Sequence, residues 1–469
     1  MKRFLWLFVI VVLFLICTGC GDTFRPVIIP NPPKFPDPRA SHSVIAISDN
    51  NTDPVQQQSD RGTIMSVDVS GDTVAGVADV GLVPVHAVQQ TANQVLVVNQ
   101  SVPGALGDSL TKVAFFGTQI SGTPVTISLP PDSAPNFVAS TETSTAYVSL
   151  PGFSPPSVGV VNTTSNVLTT TVPVGVKPFA LAETPDGKKL YVANNGSGTI
   201  NNFNVVTSPS NLTARNSSPI VLSSAPLWIS ARSDSQRVFV LESNGKIATL
   251  DTTLTAGPDT LTESTFSIPG ATYMVYDVRL NRLYIPSNDP SDVTTPAHLA
   301  VVDVSGLQPA TPVIVKVTTV DPASRSAQDP CAITAATTLT AVSAAALPDE
   351  SRAYLGSYYT DAAGNLCPQV TAINASSFTI KNTTAVPGFS SLFPFSPPIC
   401  GVTRFRFTMA AGGDSSRVYM ASCDGGNINV IDTATDNYLL NLPAPSSSRP
   451  PNNGNQPPPQ NPVFLFAGP

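Results

Sequence analysis

The chain runs to 469 residues, of which 42% are hydrophobic and 12% charged, with 46 prolines and a formal net charge of −7. That length holds one large all-β domain or about two to three average ones, and the acidic balance argues against nucleic acid as a partner. Abundant Val, Thr, Ser and Pro, with few Lys- and Glu-rich stretches, point away from helices and toward strands and turns.

Residues 1–19 form a unit of their own. Lys2 and Arg3 give a positive start, and Phe4–Ile16 is an uncharged apolar run, too short to cross a membrane comfortably and suited to a signal peptide. The run ends in Cys17-Thr18-Gly19-Cys20. Small residues ahead of a cysteine resemble the bacterial lipoprotein cleavage motif, which implies lipidation at Cys20; Cys17 departs from the Leu usual at its position. Residues 20–40 then read as lipid anchor and tether, because six prolines between Thr23 and Ala40 forbid a helix and favour an extended chain. The expected location is the cell envelope, outside the cytoplasm, with the membrane reached through the lipid. Gly21, rather than Asp, after Cys20 tilts the sorting toward the outer membrane.

From Ser43 the pattern is strand and turn throughout. Residues 43–81 hold what read as the second, third and fourth strands of a unit that lacks its first. Complete units open at Pro84, Pro135, Pro178, Pro226, Tyr273, Ala344 and Phe405, each with about four short strands separated by turn residues. Third strands end in an apolar residue and then Asp or Asn: Asp68, Asn162, Asn204, Asp251, Asp303, Asn374 and Asp432. Such side chains close turns by accepting backbone N–H groups two residues on, and they lie on separate units, so a shared calcium site is the weaker reading. After the Pro-rich link 446–460, "NPVFLFAGP" reads as a lone first strand: Pro462-Val-Phe matches Pro135-Asn-Phe. The expected fold is an all-β propeller spanning 41–469, its ring closed by the C-terminal strand joining the N-terminal blade. Counting first strands gives eight four-stranded blades, or seven if one degenerate unit is miscounted.

Two stretches, Leu190–Thr207 and Val418–Pro443, resemble YVTN-type β-propeller repeats: a Tyr-Val-x-Asn strand, a Ser/Gly turn, a Val-Ile-Asp strand and a Thr-rich turn. The resemblance implies the propeller fold. The family includes surface-layer and extracytoplasmic proteins and is similar to lactonase-type propellers, so it leaves function open.

No catalytic, cofactor-binding or metal-ligating residue is assigned. The histidines are His42, His86 and His298. His86 sits where other units carry Phe137, Ala180, Trp228 and Phe464, which reads as packing near the ring centre. No GxSxG elbow or phosphate loop is present. After removal of Cys17 and lipidation of Cys20, four cysteines remain. Because the loop entering a propeller blade and the loop after its second strand share a face, the expected disulfides are Cys331–Cys367 and Cys400–Cys423, among three possible connectivities. Long connections at Ser287–His298, Ser305–Thr340 and Lys381–Thr403 are the strongest functional hint. The last brings Phe389, Phe393 and Phe395, followed by Arg404 and Arg406, as a possible binding face, set against a plain covering role. The expected function is a membrane-tethered binding or scaffold module for a protein or glycan. The alternatives are a lactonase-like or other hydrolase at the central pocket, or a structural surface-layer component.

Overall fold

A computed structural model describes residues 42–50, 61–101, 107–141, 144–207, 210–254, 257–320, 324–326, 329–331, 338–388, 406–446 and 459–468. The signal, Cys20 and the tether lie outside the described residues. Eight antiparallel sheets form a ring of blades, seven with four strands and one with five. The eight-bladed propeller read from the repeats is the fold.

Blade 1 joins the two ends of the chain: Ser43–Asp49, Thr63–Asp68 and Thr73–Asp79, with Asn461–Gly468 as its innermost strand. That closing strand pairs antiparallel with Ser43–Asp49 from Ser43 opposite Gly468 to Asp49 opposite Asn461. The other inner strands are Val83–Thr91, Val138–Ala139, Pro178–Glu183, Pro226–Ala231, Val275–Asp277, Thr340–Ala346 and Phe407–Ala411, in blades 2 to 8. Blade 7 therefore starts at Thr340, earlier than Ala344. The fourth strands of blades 6 and 7, Val313–Lys316 and Ile380–Ala385, lie within stretches that read as insertions. Blade 4 gains an outer piece, Ile220–Val221, paired with its third strand.

Burial is greatest in the second and third strands and least in the fourth. Second strands such as Lys189–Asn194 and Arg237–Glu242 are buried throughout because both their faces meet neighbouring blades, so they read as continuous apolar runs. Fourth strands such as Val167–Pro173 and Asn437–Pro443 are largely exposed.

Most third-strand Asp and Asn side chains close turns. The amides of Ser70, Thr164, Thr253, Ser305 and Ser376 donate to Asp68, Asn162, Asp251, Asp303 and Asn374. Asn204 differs: its strand continues to Thr207, and its Oδ1 accepts from Arg215 instead.

These turns also carry the ties between blades. A tyrosine on a second strand reaches the acid that precedes the next blade's fourth strand: Tyr191 to Asp259 at 2.7 Å, Tyr354 to Asp436, and Tyr419 to Asp72 at 2.7 Å. A basic group completes each tie: Arg215 on Asp259, Arg352 on Asp436, Arg417 on Asp72. Burial, and then the neighbouring carboxylate, hold these three phenols well above the ordinary tyrosine range. Where the acid is replaced, the tie changes form: at the equivalent place in blade 7 stands Phe378, and Arg282 lies over its ring at 5.0 Å beside the buried Tyr284. Basic side chains add bonds to turn carbonyls of the following blade, Lys112 to Thr163, Lys189 to Thr252, Arg232 to Val304, and Arg282 to Ala375.

Two outcomes are expected. Deleting 461–469 exposes the Ser43–Asp49 edge, and the shortened chain should aggregate in size-exclusion chromatography, whereas a merely peripheral strand would leave it monomeric. In the Asp259→Ala variant, Arg215 keeps a charge in a site with no side-chain exposure for either partner. Its unfolding free energy, measured by denaturant titration, should fall by roughly 3 kcal/mol.

Candidate functional site

The first-to-second and third-to-fourth turns of every blade open on one face of the ring. The crossovers between blades and the second-to-third turns open on the other. Each inner strand starts on this second face, and five blades place proline there: Pro84, Pro135, Pro178, Pro226 and Pro462. Proline needs no ladder partner for its nitrogen, so it suits a strand start. In blades 1, 2, 4 and 5 the pairing register slips immediately behind the proline, at Val463, Val85, Phe179 and Leu227. A bulge at a strand start re-aims the residue that follows it.

Those following residues meet at the mouth of the channel. In blade order they are Phe464, His86, Phe137, Ala180, Trp228, Tyr273, Ser343 and Thr408. Phe464 and His86 rings are 4.6 Å apart; His86 stacks on Phe137 at 3.7 Å; Phe137 meets Trp228 edge-on at 5.6 Å, and Trp228 meets Tyr273 edge-on at 4.7 Å. Phe466 extends the row beyond Phe464 at 5.9 Å. The small Ala180 of blade 4 lets the rings of blades 3 and 5 touch. His86 Nδ1 accepts the Val138 amide at 3.4 Å, which leaves the ring proton on Nε2 and uses the histidine to satisfy an inner-edge amide. The result is an aromatic arc over blades 1, 2, 3, 5 and 6; in blades 7 and 8 the equivalent positions carry Ser343 and Thr408, both buried.

The loop entering blade 7 is pinned beside this sector. Cys331, in that loop, is bridged to Cys367 at the start of the third strand. Beneath the bridge, Arg325 is fully buried: it pairs with Asp329 at 2.9 Å, donates to the Val386 and Pro368 carbonyls, and lies 5.5 Å over the Tyr359 ring. Cys423 is buried and disulfide-bonded; Cys400 lies outside the described residues, as do Phe389, Phe393, Phe395 and Arg404. Arg406 pairs with Asp424 at 3.3 Å and lies 5.2 Å over Tyr358, so its charge is directed to blade 8's own loop.

Acidic side chains end two inner strands, on the face away from the mouth. Asp277 caps a turn by accepting the Arg279 and Leu280 amides. Glu183 accepts the Thr141 amide at 2.7 Å through Oε2, while its buried Oε1 has no partner among the described residues. Burial, opposed by that hydrogen bond, pushes the Glu183 carboxyl up to about 7. Its charge and, more strongly, burial raise the neighbouring Tyr147 phenol. Among the described residues, one group of potential metal ligands converges, Cys331, Asp361 and Cys367. The disulfide between its two cysteines removes the thiolates such a site would need.

No family model and no curated protein match the chain. Solved structures do resemble it. Dihydro-heme d1 dehydrogenase NirN, in complex with DHE, has a TM-score of 0.55 at 8% identity, over 94% of this chain and 77% of that one. Apo AztD from Citrobacter koseri has 0.52 at 10% identity, over 90% and 97%. A Bacteroides fragilis protein provisionally named a 6-phosphogluconolactonase has 0.48 at 12% identity, over 90% and 97%. At these identities the likeness is one of fold.

Glu183 gives a pH test with a defined sign. A carboxyl raised from 4.5 to about 7 in the folded chain stabilises fully below pH about 4.5, and its contribution is lost as pH rises through about 7. Against the Glu183→Gln variant, the parent chain should therefore lose roughly 1–3 kcal/mol of relative stability between pH 4.5 and 8, measured by denaturant unfolding at each pH. A constant difference across that range would show that the carboxyl does not titrate there.

Proposed function

We propose that the protein is an exported β-propeller, tethered to a membrane through Cys20, that works as a binding module and holds a protein or glycan partner at its aromatic mouth. The observation that carries this reading is the arc itself: rings from five blades in one contact row. Aromatic rings offer flat apolar area, which suits the face of a sugar ring or an aromatic side chain of a peptide. The inter-blade ties hold the rings on a rigid scaffold, which lowers the ordering cost of binding. A disulfide under the bordering loop fits an oxidising compartment and so supports export. Glu183 and Asp277, the acids that end inner strands, lie on the other face, and the mouth is lined by rings, which favours the binding reading over a hydrolase.

Trp228 reports directly on this site, because Trp6 in the signal is the chain's other tryptophan. A panel of oligosaccharides and aromatic peptides should include binders that shift Trp228 emission saturably. Phe464→Ala and Tyr273→Ala should each weaken that binding about tenfold while leaving the melting temperature nearly unchanged. Ligands that bind the two variants as tightly as the parent would refute the mouth as the binding site.

A further inference from the structure

The histidine of the aromatic arc supports the shortest inner strand of the ring. That strand, Val138–Ala139 of blade 3, has two residues. On its outer side it pairs with Val148 and Tyr147. On its inner side the Val138 amide donates to His86 Nδ1 of blade 2 at 3.4 Å. Side chains fix the stretch at both ends. At the mouth, Gln100 donates to the Pro135 carbonyl at 3.1 Å, and Asp108 Oδ2 accepts the Ser133 hydroxyl at 3.0 Å and the Ala134 amide at 2.9 Å. At the far end Glu183 accepts the Thr141 amide. His86 meets the strand's inner edge between these two anchors.

The bond from Val138 needs a neutral ring. A neutral imidazole accepts at one nitrogen; an imidazolium donates from both, so neither orientation of the ring can receive the amide. A buried amide that loses its acceptor is costly, so the strand or the ring has to move. The charge itself can stay in the stack. The imidazole lies face to face with Phe137, centroids 3.7 Å apart at 22°, and tilted against Phe464 at 4.6 Å, and aromatic faces attract a cation. Protonation therefore gives up the hydrogen bond. Phe137 immediately precedes Val138, so a shift of that amide carries the Phe137 ring and its edge contact with Trp228 at 5.6 Å. The strands packed around His86 are Ser43–Asp49, Gln94–Gln100, Val138–Ala139 and Asn461–Gly468, and their ionisable side chain is Asp49, opposite Asn461. Beyond them stand Asp108 and Asp132 at the entry of blade 3, and Glu183 at its far end.

We propose that protonation of His86 opens the aromatic mouth: with the ring neutral the arc is assembled, and with the ring charged the inner strand of blade 3 disengages and Phe137 leaves the row. As a control on binding this rests on the binding reading; the rearrangement itself needs no ligand. The device is a local change of charge acting on a short, weakly held element, with the ring contacts as its readout.

The test uses the full chain carrying Trp6→Phe, so that Trp228, 8% exposed, is the lone emitter. Acrylamide quenching of its fluorescence is followed from about pH 8 to about pH 5, the interval in which imidazoles change charge. Far-ultraviolet circular dichroism at each pH confirms that the chain stays folded. The quenching constant should rise about twofold as pH falls, through one reversible inflection. His86→Gln, which keeps an acceptor, and His86→Phe, which keeps the stack, should both give flat profiles. Glu183→Gln and His298→Asn should retain the inflection, which ties it to His86. A flat profile in the parent, or the same inflection in both His86 variants, would overturn the switch. Failure to find any oligosaccharide or peptide that binds at the mouth would count against the binding reading alone, because the quenching profile is read without ligand.

Discussion

The ring depends on the contact between one blade and the next. A propeller blade cannot bury both its faces alone, so its second strand is apolar throughout and stable only when a neighbour covers it. What sets the angle and register of that packing here is a polar bond at its rim: a tyrosine hydroxyl, buried, on a carboxylate before the next blade's fourth strand, with an arginine alongside. Tyr191–Asp259, Tyr354–Asp436 and Tyr419–Asp72 repeat this arrangement, and the last crosses the seam where the chain's ends meet. Hydrophobic burial supplies most of the driving force but is not directional. A buried hydrogen-bonded acid is directional, because moving it out of register leaves a charge unpaired. Closure follows from the same logic, since the strand Asn461–Gly468 must pair with Ser43–Asp49 before blades 8 and 1 can face each other correctly.

The two faces of this ring have different chemistry. On the turn face, backbone carbonyls are satisfied by side chains of the preceding blade, and the tips are short and rigid. On the opposite face, bulges behind the inner-strand prolines rotate rings toward the axis, and the long, disulfide-pinned entry of blade 7 borders the sector whose ring positions carry Ser343 and Thr408. The asymmetry of the mouth comes from single residues at one equivalent position: Ala180 permits the rings of blades 3 and 5 to meet, and Ser343 and Thr408 stand in blades 7 and 8 where other blades carry rings. A symmetric repeat thus acquires one distinguishable side, which a binding module needs and a purely structural ring does not.

Much of this was legible before the structure. Proline followed two residues later by an aromatic marked inner strands, so the closing strand at Pro462 and its missing partner at Ser43 could be matched from opposite ends of the chain. The turn-closing role of Asp68, Asp251 and Asp303 followed from local hydrogen-bonding chemistry. The inter-blade acids were not recognised, because their partners are 68, 82 and 347 residues away. Asp72 and Asp436 do stand four positions after the acids that end their third strands, but the longer turn in blade 5 hides Asp259 from that spacing. Fourth strands of blades 6 and 7 were lost inside apparent insertions because outer strands are short and half-exposed, with little apolar periodicity to mark them. The aromatic positions at the mouth could be aligned, yet their mutual contact depends on Ala180 being small, a negative feature that draws no notice in a sequence.

The most direct test of this account places a photo-crosslinking benzophenone side chain at position 464, at the mouth, or at position 116, on the turn face, in the intact protein, in the cells that make it. The account expects a discrete protein or glycan adduct from position 464 and none from position 116. A protein or glycan adduct from 116, with none from 464, would contradict it.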